Sequence, residues 1–88
     1  MSDNNQSRIS FTKNMLINWS ARGYVDVVVR GTGIQVSRSL SCDRKAEIEK
    51  MYQQEPAEVC DAVWQKEMHR LEDEAVAEAK RLFKARDD

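Results

Sequence analysis

The chain has 88 residues, 33% of them charged, and a net charge of −1. A domain of this size buries only about 60–65% of its unfolded surface, so its stability margin is thin without a partner or staple. Two cysteines with no CxxC pair exclude a disulfide scaffold, and the longest apolar run of consequence, Val27–Val29, is far too short for a membrane span. The expectation is a soluble, cytoplasmic protein with reduced thiols. The charge is unevenly divided. Residues 1–45 carry seven basic and three acidic groups, whereas residues 46–88 carry seven basic and twelve acidic ones. A mildly basic first half therefore precedes an acidic second half.

Residues 1–7 hold nothing that would anchor them to a core and read as a disordered leader. From residue 8 to residue 88 the chain reads as one α+β domain. Apolar residues first recur at every second position, as Ile9, Phe11, Met15, Ile17 and Trp19, which predicts a strand over about 8–20. A helix from Thr12 to Arg22 is the competing reading, since Phe11, Met15, Leu16 and Trp19 also fit helical spacing. Ala21-Arg22-Gly23 suits a three-residue hairpin loop with glycine in the left-handed region. That turn sets Trp19 opposite Val25, Ile17 opposite Val27 and Met15 opposite Val29. A second strand then covers 24–30. Gly31-Thr32 reads as a two-residue type II′ turn into a third strand over 34–41, with Val29 against Ile34 and Val27 against Val36. Lys13 and Arg38 interrupt the apolar face near its rims, where both can reach water.

At Ser41–Asp43 the rhythm changes. Ser41 or Asp43 caps a short helix over 44–54, carrying Ile48, Met51 and Tyr52 on one arc. Pro56 opens a long helix over 56–86. Its stripe, Ala57, Cys60, Trp64, Met68, Leu71, Ala75, Ala79 and Leu82, packs on one sheet face, with Trp64 expected over Ile17, Val27 and Val36. The fold expected is a three-stranded antiparallel β-meander followed by a short helix and a long C-terminal helix packed on one sheet face.

No constellation points to catalysis. His69, the sole histidine, has Glu72 and Asp73 one turn on but no further strong metal ligands at zinc spacing. Cys42 at a helix start is countered by Asp43, and Cys60 falls on the apolar stripe. The carboxylates interleave with cations, as in Glu67–Arg70, Glu74–Lys80 and Glu78–Lys84, which is how solvated helices are decorated. The expectation is a non-enzymatic protein with no cofactor and no metal.

Two surfaces suggest partners. The outer sheet face gathers Leu16, Tyr24, Val28 and Arg30, an apolar patch in polar surroundings and a candidate site for a protein partner. Val76, Ala79, Leu82 and Phe83 at the end of the long helix exceed what one small sheet face can cover, so a homodimer through them is expected. A sheet with arginines and an aromatic on its open face can also read nucleic acid, and Arg22, Arg30, Arg38, Arg44 and Lys45 are the candidate contacts. The function read from the sequence is a protein-interaction module, an inhibitor or adaptor of a larger machine of the kind mobile elements encode; the alternative is a nucleic-acid-binding regulator.

Overall fold

Alternation in the first half and a 3.6-residue stripe in the second produce the expected architecture. The computed structural model describes residues 10–86; the leader assigned to residues 1–7 lies outside them. Among the described residues the order is helical turn α1 (Phe11–Asn14), strands β1 (Met15–Ser20), β2 (Tyr24–Val29) and β3 (Ile34–Ser39), helix α2 (Cys42–Gln54) and helix α3 (Ala57–Arg86). The strands form one antiparallel sheet in the order β1-β2-β3. α3 lies along β2 and β3 on one face of it, and α2 packs against α3.

The registers follow the turn chemistry. Met15, Ile17 and Trp19 pair with Val29, Val27 and Val25, and Val29, Val27 and Val25 pair with Ile34, Val36 and Arg38. Gly23 takes φ 94° at the first hairpin. An added methyl there would lie 3.4 Å from Leu40 Cδ1 and 3.4 Å from Trp64 Cη2, which is ordinary contact, so it is the left-handed backbone that calls for glycine. The second turn differs from expectation while keeping the register. β2 ends at Val29 and β3 begins at Ile34, leaving a four-residue connection. The Thr32 N–H donates to Val29 O at 3.3 Å and the Thr32 hydroxyl to the same oxygen at 2.6 Å. Threonine thus fixes a turn one residue earlier than a Gly31-Thr32 type II′ turn would.

The expected strand over 8–20 is the principal correction. Residues 11–14 are a helical turn, because Ser10 caps it: its Oγ accepts from the Lys13 N–H at 3.3 Å, and its carbonyl accepts from the Asn14 N–H at 3.2 Å. Lys13 accordingly leaves the sheet. Phe11 turns onto Phe83 of α3, ring centroids 5.4 Å apart and tilted at 60°. Phe11 thus serves an aromatic contact, not a strand, and residues 8–9 of the expected strand lie outside the described residues.

Ser41 caps α2, accepting from the Arg44 N–H at 3.1 Å. Pro56 disfavours helical geometry at Glu55, which is extended at φ −115°, ψ 160°, so α2 stops and α3 starts within two residues. The core is Val25, Val27, Val29, Val36, Leu40 and Ile48 with Met68, Leu71, Ala75 and Ala79 of α3. Trp64 is half-buried at the sheet end beside Gly23 and Leu40. It does not cover Ile17, because the smaller Met68, Leu71, Ala75 and Ala79 form the fully buried ridge of α3 and a larger ring fits only where the sheet ends.

Candidate functional site

The sheet's inner face is covered unevenly. In one cross-strand row Val27 is 0% exposed and Val36 5%, yet Ile17 beside them is 38% exposed. α3 lies over β2 and β3, so the inner face of β1 forms the floor of a groove of about 570 Å³. Met15 and Ile17 form the floor, Val76 and Ala77 the apolar wall. Glu72 and Asp73 stand toward one end, and Lys80, Arg81 and Lys84 toward the other. β1 is tied to α3 through Trp19, whose indole Nε1–H donates to Glu72 Oε1 at 2.8 Å. The Trp19 ring meets His69 edge-on at 4.8 Å between centroids. His69 is thus exposed, as its helix face implied, but it is packed on an aromatic ring and not free in solvent.

The same strand is an open edge. The Arg30 N–H donates to Asn14 O at 2.9 Å. Hydrogen-bonded pairs alternate along an antiparallel ladder, so Leu16, Asn18 and Ser20 exchange bonds with β2 while the N–H and C=O of Met15, Ile17 and Trp19 point outward. An apolar groove and a row of unpaired main-chain groups therefore share one strand. The opposite edge, β3, turns Gln35, Ser37 and Ser39 to the outer face, all exposed and polar.

The other candidate residues are dispersed. Leu16, 50% exposed, and Val28 are cross-strand neighbours on the outer face. Tyr24 is two rows away, and between them Asp26 accepts a hydrogen bond from the Ser37 hydroxyl. A polar row divides the expected patch, and Arg30 sits beyond the end of β2. Of the self-association set, Ala79 is fully buried, and Val76, Leu82 and Phe83 are half-buried against the core of their own protomer. Ala79 is sealed and Leu82 and Phe83 are partly covered within the protomer, the Phe11 turn packing on Phe83 beyond what the sheet reaches. Only Val76 lines a groove.

Of the basic set, Arg44 is committed. Its guanidinium donates to Glu67 Oε2 at 2.9 and 3.1 Å and to Glu47 Oε1 at 2.9 Å. Arg70 donates to the other Glu67 oxygen at 3.0 Å, and the two cations hold the Glu67 carboxyl below its usual range, Arg44 most strongly. The Arg38 Nη1 donates to Ser37 O. Arg22 and Lys45 do converge, on a cleft of about 550 Å³ with Trp64, Tyr52 and Ile48, where Glu49 and Asp61 supply opposing charge. The Tyr52 hydroxyl donates to Asp61 Oδ1 at 2.7 Å, which pushes its pKa up. Expected ion pairs are partly re-partnered: Glu67–Arg70 forms, while Glu74 pairs with Arg70 and Glu78 with Arg81.

Cys60 is buried and its thiol is pushed up by burial; Cys42 is exposed as the first residue of α2. Among the described residues no three His, Cys, Asp or Glu side chains gather as a metal site, and no helix is long and apolar enough to cross a membrane. No protein-family model, curated protein or solved structure matches this chain, so the site stands on its own geometry.

Proposed function

We propose that this chain is a non-enzymatic protein-binding module whose binding element is the open strand β1 with the groove beside it. The observation that carries the reading is Ile17, half-exposed at the edge-strand end of a row whose other two residues are sealed. Strand addition at an open edge supplies main-chain hydrogen bonds, and side-chain pockets next to the edge supply specificity. In that role the protein acts in the cytoplasm as an inhibitor or adaptor that occupies a surface of a larger machine. Affinity capture from native lysate, with nuclease present, tests it. Wild-type protein retains a nuclease-resistant partner and the Ile17→Lys variant loses it; equal recovery by both would remove β1 from the function.

A nucleic-acid reading keeps one supporting observation, that Arg22 and Lys45 line one cleft with the aromatic side chains of Trp64 and Tyr52. With about two phosphate contacts its log–log salt slope would be about −2 on duplex and shallower on single strands. Arg44, held between two carboxylates, contributes nothing to it. Absence of binding at low salt excludes this reading.

A further inference from the structure

The outward-facing groups of β1 are centred on Ile17, and we infer that this edge pairs with the same strand of a second copy about a two-fold axis through Ile17. The inference rests on β1 being the binding element and names its occupant.

The main chain is self-complementary first. Met15, Ile17 and Trp19 are the residues whose N–H and C=O face outward, and they are symmetric about Ile17. Antiparallel pairing on that centre sets Ile17 opposite its own counterpart and Met15 opposite the second copy's Trp19. All three become hydrogen-bonded positions, giving up to about six main-chain bonds. The two sheets join into one of six strands, and the half-covered row continues through two adjacent isoleucines into the sealed valines of the second protomer. Nothing on the edge opposes this: β1 carries no proline and no charged side chain among Met15–Ser20.

The charges of the groove are also self-complementary. Trp19 is fixed to Glu72, and Phe11, just before β1, is fixed to Phe83, so the β1 centre at Ile17 lies level with Val76 and Ala77. Glu72 and Asp73 lie one turn before that level, and Lys80 and Arg81 one turn after. A two-fold axis there turns the acids of each α3 toward the bases of the other: Asp73 faces Lys80 of the second copy, while Glu72, held by Trp19, and Arg81, paired with Glu78 in its own protomer, add only their longer-range field. A surface that is negative on one side of its axis and positive on the other complements its own image. At ~4.8 Å between strands, with each α3 over β2 and β3, the helices run antiparallel roughly 19 Å apart. Long side chains reaching across, and not helix packing, close the space above the joined strands. The contact therefore uses Val76 of the expected self-association set and leaves Ala79, Leu82 and Phe83 inside their protomer.

Light scattering and sedimentation from low to high micromolar concentration test the arrangement. Wild-type protein has twice the protomer mass at tens of micromolar. Ile17→Lys, which sets two like charges side by side on the axis, is a monomer with an unchanged circular dichroism spectrum. Asp73→Lys and Lys80→Asp each weaken association about tenfold or more, since every change acts twice across the axis. The double exchange restores wild-type association, a rescue that only residues facing one another produce. A wild-type monomer at hundreds of micromolar overturns the inference, as does a dimer that Ile17→Lys or the exchanges leave untouched. If the wild type is a monomer yet Ile17→Lys still abolishes capture of a different protein, the second copy falls and the binding role of β1 stands.

Discussion

The row Ile17–Val27–Val36 crosses the sheet from edge to edge, and its two halves differ in fate. On the β2–β3 side α3 seals Val27 and Val36 completely or nearly so, and the α2–α3 junction adds the Arg44–Glu67–Arg70 cluster. On the β1 side the same apolar pattern is left half in water, tethered to α3 by one indole hydrogen bond and by the Phe11–Phe83 contact. Three strands are wider than one helix can cover. The comparison teaches that patterning commits a strand to a core face, whereas the placement of the covering helix decides whether that face becomes core or binding surface.

Deep truncation on the sealed side separates the halves most sharply. Met68→Ala, at a fully buried site, costs about 2–5 kcal/mol, and Ile17→Ala below about 1.5 kcal/mol because its cavity opens to solvent. Urea unfolding monitored on both variants checks this, and comparable losses would show that β1 is as sealed as β2. Next is the aromatic tether. Phe83→Ala costs about 2 kcal/mol, less than full burial would give because the ring is half-exposed. A double-mutant cycle with Phe11→Ala returns a coupling of about 0.5–1.5 kcal/mol. A coupling of zero would detach the first turn from α3.

The single polar tie between β1 and α3 is smaller still. Trp19→Phe keeps a ring against His69 and removes the donor to Glu72, costing about 1 kcal/mol. The loss appears as faster hydrogen exchange along β1 with little change along β3. Uniform acceleration would mean that the two sides open as one unit.

The smallest effect is in the acid limb of stability. Arg44 and then Arg70 hold Glu67 below its usual value of 4.5. The folded state therefore binds that proton less readily than the unfolded chain does. The contribution is complete above pH 4.5 and is lost as pH falls through the depressed value. Glu67→Gln lowers stability at neutral pH and makes the decline below that point shallower. An unchanged slope would show that the cluster at the α2–α3 junction is inactive on the sealed side.

Much of the fold was legible. The Ala21-Arg22-Gly23 loop and the valines on either side of it determined the first register, and the Ser41 hydroxyl and Pro56 determined where α2 and α3 begin. The first turn was not legible, because Phe11 fits a strand and a helix alike, and only Ser10 at the cap position signalled the second. The site was legible in one residue of its proposed set, Val76. Leu16, Tyr24 and Val28 share the face assigned to them, but the Asn18–Asp26–Ser37 row separates Leu16 and Val28 from Tyr24, and Arg30 lies past the end of β2. The alternation of Met15 and Ile17 implies core, and the Glu72–Asp73 and Lys80–Arg81 spacing around Val76 is the signal in the sequence that points to the groove.

Residue order alone determined which side chains share a face, which strands pair in which register, and where each helix starts, since these follow from a two-residue or 3.6-residue period and from local turn and cap chemistry. Only the tertiary structure decided that α3 lies over β2 and β3, that Phe11 folds onto Phe83, and that β1 keeps an open edge and an open groove. An apolar stripe specifies that a helix packs on a sheet, but its lateral position is set by how the buried ridge of Met68, Leu71, Ala75 and Ala79 fits against valines from two strands at once, which no local period encodes.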